Sequence, residues 1–206
     1  MEKHLLLNLF FASLICCLDK TQSSRVGTTN ERHAHIYADK TVTLFGDSSY
    51  KLTLHIFDTL NYNQETRNAV LTFSKQEKNY EKVFFRDSMY CLYPGIDFKD
   101  FNNDKIKDVL IFYYTGARAN PTYHLYLTDL KNRKLIRVRG FEELPNPDLD
   151  TTNNIIISIA LSGTNYYSFY RINKVNKLVN LGYGFNENPG ESNQYERTIR
   201  KIKKVK

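Results

Sequence analysis

Oxygen-bearing side chains recur on alternate residues in one short stretch of this chain. Asp100, Asn102, Asp104 and Asp108 stand at relative positions 1, 3, 5 and 9 of Asp-Phe-Asn-Asn-Asp-Lys-Ile-Lys-Asp. Alternate residues of a tight loop can aim their side chains at one centre, and calcium takes about six to eight oxygen donors. The main-chain carbonyl of Ile106, at position 7, adds another donor. The spacing therefore leads to calcium as the expected ligand, held by Asp100, Asn102, Asp104, Ile106 and Asp108. Phe101 and Ile106 are apolar and would pin the loop to a core. Lys105 occupies the position where such loops prefer glycine for a sharp left-handed turn, at a cost of about 1 kcal/mol. It also brings a positive charge next to the site. Position 12 is Ile111 and offers no bidentate carboxylate, so this is not a helix-flanked EF-hand. The same residues also suit a turn braced by local Asn and Asp hydrogen bonds.

Catalytic constellations are sparse. The chain has no Gly-x-Ser-x-Gly and no His-Glu-x-x-His, the spacings that place a nucleophile or a zinc ion. His55 and His124 fall inside strand-like runs, where a packed, hydrogen-bonded histidine is expected. Cys91 has no recognisable activating partner. Glu142 and Glu143 with Asp148 or Asp150 would be the acids for work on a glycosidic bond, but such residues in a loop are far more often solvated. The chain reads as a binding protein and not as an enzyme.

The elements that must carry these residues are strands. Tyr50 to Phe57 alternates, with Leu52, Leu54 and Ile56 on one face. Further apolar or aromatic runs cover 69–73, 83–85, 109–114, 123–127, 135–138, 155–159 and 166–170, separated by Asn, Asp, Gly and Pro. Short runs rich in β-branched and aromatic residues, broken by turn formers, predict an all-β antiparallel meander in a single domain over 33–182. Residues 141–144 suit one helical turn. The 206 residues carry 15 Tyr, 13 Phe and no Trp, with a net charge of +7. Arg197, Arg200, Lys201, Lys203, Lys204 and Lys206 lie in the last ten residues, so the body is near neutral. Residues 183–206 are expected to form a basic, poorly ordered tail.

The first residues point to export. Lys3 and His4 precede an almost wholly apolar run from Leu5 to Leu18, and charge returns at Asp19. That is the layout of a signal segment over 1–18, and it is short of the roughly 20 apolar residues of a membrane span. A polar tether follows over 19–32. Leu14-Ile15-Cys16-Cys17 resembles a bacterial lipoprotein box, which would make Cys17 the lipid acceptor and anchor the protein to a membrane. Cleavage near Ser23 or Ser24 without lipidation is the alternative. An exported chain without a nucleic-acid motif is not expected to bind nucleic acid.

The loop 100–108 and its following strand look like the Asp-x-Asn-x-Asp-Gly-x-x-Asp-Leu loop of periplasmic EF-hand-like repeat proteins. Asn120-Pro-Thr-Tyr-His-Leu-Tyr, Phe141-Glu-Glu-Leu-Pro-Asn146-Pro, Ile155-Ile-Ile-Ser and Gly163-Thr-Asn-Tyr-Tyr follow in order. Residues 95–182 are similar to periplasmic proteins that neutralise lysozyme-like effectors of bacterial secretion systems. The resemblance implies a propeller-like fold, bound calcium and inhibition of a peptidoglycan hydrolase in the periplasm or at the outer membrane. The loops Thr115 to Pro121 and Ser162 to Tyr167 would supply the partner-binding residues Arg118, Tyr166 and Tyr167. A surface lipoprotein whose β-domain binds glycan or another envelope protein is the alternative function. If Cys17 is the acceptor, globomycin should make the precursor accumulate and Cys17→Ser should release a soluble protein. Unchanged membrane partition under both treatments would leave simple secretion.

Overall fold

A strand that is apolar on alternate residues needs cover on one face, whereas a strand apolar throughout needs cover on both. That difference orders the layers here. The computed structural model describes residues 36–57, 67–116 and 118–204, all within one compact unit, Ala34–Lys206. The signal segment, the polar tether and Cys17 lie outside the described residues. β1 (Ile36–Leu44), β2 (Asp47–Phe57), β3 (Ala69–Gln76) and β4 (Glu81–Met89) form the first sheet. β5 (Ile96–Lys99), β6 (Asp108–Thr115), β7 (Pro121–Asp129) and β8 (Lys134–Val138) form the second. After a 3-10 turn at Phe141–Glu143, β9 (Asp148–Asp150), β10 (Ile155–Ala160), β11 (Tyr166–Ile172) and β12 (Leu178–Asn186) form the third. Each sheet is an antiparallel meander of four strands in sequence order. The all-β, antiparallel expectation is met. Among the described residues the sheets do not close into a propeller ring.

The first sheet has one buried face. Leu52, Leu54 and Ile56 point inward with Leu71 and Phe73, and they meet Val109, Ile111 and Tyr126 of the second sheet. His55 faces the other way, with its Nδ1 3.6 Å from Asp39 Oδ2. The second sheet is buried on both faces. Leu110, Leu125, Leu127 and Val138 turn from the first sheet toward Phe141 and Leu144 and toward Leu149 and Ile156 of the third. The third sheet is covered again on its far side, where Ile155 and Phe169 pack with Ile199 and Ile202. Each fully buried aliphatic or aromatic side chain contributes about 1.5–3 kcal/mol. Three apolar layers run through the molecule in series.

Residues 183–204 correct the expectation of a poorly ordered tail. β12 runs on to Asn186, and α1 (Gln194–Lys204) buries Thr198, Ile199 and Ile202. The cause lies in spacing. Tyr195, Ile199 and Ile202 fall at i, i+4 and i+7, one apolar stripe on a helix that is otherwise cationic. Glu196 sits in the first turn and Lys201, Lys203 and Lys204 in the last, so the charges oppose the helix dipole favourably. The Gln194 side chain ties the helix start back to the sheet, donating to Asn186 O and accepting from Asn188 N–H. The domain boundary drawn at 182 therefore moves past α1.

Candidate functional site

Two of the nominated loops are joined by a pair of asparagine side chains. The turn 116–120 links β6 to β7 and closes with Ala119 N–H on Gly116 O, Ala119 taking a left-handed φ of 52°. Asn120 follows. Its Nδ2 donates to Leu161 O at 3.0 Å, and its Oδ1 accepts from Leu161 N–H at 2.8 Å. Asn146 Nδ2 donates to the same Oδ1 at 2.8 Å and to Ile159 O at 2.9 Å. Asn146 N–H bonds Pro121 O, and Ile159 N–H bonds Pro145 O. The β6–β7 turn, the Leu-Pro-Asn-Pro segment and the β10–β11 turn thus form one stapled edge. Asparagine suits the Asn146 position twice over. It tolerates the φ of 45° found there, and its amide is both donor and acceptor.

Arg118 is exposed at the tip of this edge. The two tyrosines part company, because successive strand residues point to opposite faces. Tyr166 is 44% exposed and lies across β12, where a Cβ on Gly184 would collide with its hydroxyl. Tyr167 turns to the α1 side and stacks on Phe185, with ring centroids 4.8 Å apart and planes 10° apart. Burial, and then the Glu187 carboxylate that takes its hydroxyl, raise the Tyr167 pKa. The structure brings the loops of Arg118 and Tyr166 together and leaves Tyr167 half-buried against the third apolar layer behind them.

The 100–108 loop forms a second feature. Asp100 accepts from the N–H groups of Asn102, Asn103 and Lys105, the last at 2.9 Å. Lys105 adopts φ 73°, the left-handed turn for which glycine was expected. Asp104 accepts from Ile106 N–H and from the Asn102 amide. Asp108 is fully buried at the start of β6. One of its oxygens takes Phe101 N–H at 2.8 Å and the other takes Thr128 N–H at 3.0 Å. Burial pushes its carboxyl up to about 6, against those two hydrogen bonds and with help from the negative charges of Asp104 and Asp100. Asn103 Nδ2 donates to Thr151 O and so ties the loop to the third sheet. The donor types fit calcium, and so does the turn. Several of the oxygens are engaged with the loop's own N–H groups, and among the described residues no three Asp, Glu, His or Cys side chains converge as a metal cluster.

Other residues raised from the sequence have separate employment. Cys91 is fully buried, its thiol donating to Tyr93 O and Phe112 O, and burial pushes it up to about 12. Asp148 holds Lys99, while Asp150 holds Asn153 and Tyr195. Neither pairs with Glu142, which meets Arg137 instead. Sequence reasoning missed Arg137 altogether. Its Nη1 donates to Asp87 Oδ2 at 2.7 Å, and the same oxygen accepts from the Tyr126 hydroxyl at 2.7 Å. Its Nη2 lies 3.1 Å from His124 Nδ1, while His124 Nε2 faces Tyr90 O at 3.3 Å. The imidazole is therefore neutral with its proton on Nε2, and burial and then Arg137 hold its pKa below the usual value. The alternation of His124, Tyr126 and Arg137 on strands was the one available signal. These three meet within the second sheet, where β7 pairs with β8 and Tyr126 stands opposite Arg137, and the first sheet adds Asp87.

Compared with protein-family models, with curated proteins and with solved structures, the chain matches none. The asparagine staple gives a direct test of the edge. Asn120→Ala leaves Leu161 N–H and O without their partner and takes one of two acceptors from the Asn146 amide, so unfolding free energy should drop by about 2 kcal/mol. Amide exchange at Leu161 should accelerate. Unchanged denaturation and exchange would remove the staple as the edge's support.

Proposed function

We propose that this chain is an exported, non-catalytic binding protein that blocks a lysozyme-like peptidoglycan hydrolase in the bacterial envelope. The observation that carries this reading is the edge stapled by Asn120, which presents Arg118 on a short turn fixed to a second turn. A lysozyme-like enzyme keeps a catalytic carboxylic acid in a deep cleft. An inhibitor needs a narrow, rigid projection that reaches it, because a preformed loop loses little entropy on docking. Arg118 offers a forked, charge-assisted contact to that acid. Tyr166 supplies rigid aromatic area beside it, and Tyr167 braces the hairpin from behind. A signal segment over 1–18 with Cys17 as lipid acceptor would put the domain in the periplasm or at the outer membrane, and the three stacked meanders would serve as an open, propeller-like scaffold.

Calcium is part of this proposal. Asp100, Asn102, Asp104, the Ile106 carbonyl and Asp108 would hold it. A bound cation would offset the mutual repulsion of the three carboxylates and stiffen the loop that joins β5 to β6.

The purified protein should slow peptidoglycan lysis by at least one lysozyme-like hydrolase from a panel that includes any product of a neighbouring gene. Arg118→Ala should weaken inhibition about thirtyfold, equivalent to about 2 kcal/mol for a central contact. Inhibition of no enzyme in the panel would end the inhibitor reading. Inhibition indifferent to Arg118→Ala and Tyr166→Ala would move the contact elsewhere on the molecule.

Calorimetry should show one calcium site, and a chelator should lower the melting temperature, since a ligand held only by the native state adds stability. Asp100→Ala or Asp104→Ala should abolish both effects. Lys105→Gly should tighten binding, because it relieves a left-handed non-glycine residue worth about 1 kcal/mol. No heat at millimolar calcium and melting indifferent to chelator would leave the loop as a hydrogen-bonded turn.

A further inference from the structure

The Arg137 network forms the floor of a cavity of about 320 Å³ between the first two sheets. That volume lies in the range of small-molecule sites. Three guanidinium groups line it, Arg67 and Arg139 at the rim and Arg137 in the floor, with the Glu142 carboxylate and the Tyr113 ring. Arg137 is already matched by Asp87 below it. Arg67 and Arg139 are exposed and have no hydrogen-bond or ion-pair partner among the described residues. The neutral tautomer of His124 adds no charge, so the rim carries surplus positive charge that calls for an anion. Glu142 imposes a second condition. Its contact with Arg137 is long, at 3.5 Å, and it remains 24% exposed. Its Oε2 and the Arg137 Nε have no partner among the described residues. A carboxylate in this position repels a compact dianion and accepts from hydroxyl groups. The wall is aromatic, Tyr90 and Tyr113 meeting edge to face with centroids 5.9 Å apart.

We infer that this cavity binds a small sugar acid, a single carboxylate carried beside hydroxyl groups. The ligand carboxylate lies between Arg67 and Arg139, where forked, charge-assisted contacts are available. Its hydroxyls donate to Glu142, and its apolar ring face lies against Tyr113. A neutral sugar leaves the rim cations unmatched. Phosphate satisfies the cations and meets the negative charge of Glu142. The site shares no residue with the stapled edge, so it stands or falls independently of hydrolase inhibition.

The test is calorimetry on the purified protein with glucuronate, glucose and inorganic phosphate as separate titrants. Glucuronate should bind, with glucose and phosphate each at least about tenfold weaker. Arg139→Ala and Arg67→Ala, both at exposed positions, should each weaken glucuronate about tenfold with melting unchanged. Glu142→Gln should narrow the preference for glucuronate over phosphate. No heat with glucuronate at about 10 mM, phosphate binding as tightly as glucuronate, or full affinity in folded Arg139→Ala would each overturn the proposal.

Discussion

Burial of the second sheet on both faces is the constraint on which the rest of the molecule depends. β6 reads Asp-Val-Leu-Ile-Phe, buried at every one of these positions. Such a strand cannot stand in water on either side, so it needs a sheet in front and another behind. Val109 and Ile111 take one neighbour and Leu110 takes the other. The same demand passes outward. The third sheet, with Ile155 and Ile156 pointing to opposite sides, has a far face that must also be covered, and α1 covers it. A basic segment that would be a solvated tail on its own becomes a helix because it has apolar surface to dock on.

Side-chain amides and carboxylates hold the loops that leave these layers. Asp108 shows how. Its two oxygens capture backbone N–H groups from the loop before it and from β7, so one carboxylate fixes the loop start to the strand register. Asn68 does the same for Cys91, accepting from its N–H and donating to its carbonyl. Asn120 does so for Leu161. In each case a short polar side chain mimics a strand partner where the ladder has ended. Truncation at such a position leaves buried backbone groups unpaired, which costs more than the hydrogen bond itself contributes.

Two chemically distinct features result. One is a projecting edge, poor in titratable groups apart from Arg118 and fixed by neutral hydrogen bonds. The other is a charged cavity built on Arg137, Asp87, Glu142 and His124, where two sheets meet. The edge suits contact with a macromolecular cleft, where rigidity matters. The cavity suits a small polar ligand, where matched charge in a partly dry site matters more.

From its pattern alone the sequence carries the strand class, the alternation that buries Leu52, Leu54 and Ile56, and a helical turn at 141–144, which is 3-10 in the structure. It also determined the left-handed demand at position 105, which Lys105 meets despite its Cβ. These depend on local periodicity and turn chemistry, which a single segment carries. Strands β1, β5, β9 and β12 were harder to see, because an edge strand needs few apolar residues once its neighbour supplies the register. α1 was hidden by its own charge, since two isoleucines and a tyrosine make too short a stripe to announce a helix. Tyr166 and Tyr167 diverge by that same local alternation, but the meeting of Asn120 with Leu161 and of Arg137 with Asp87 was settled only when the sheets packed together. Those residues lie up to 50 positions apart in the chain. Their meeting follows from the face-to-face packing of separate sheets, which no local pattern encodes.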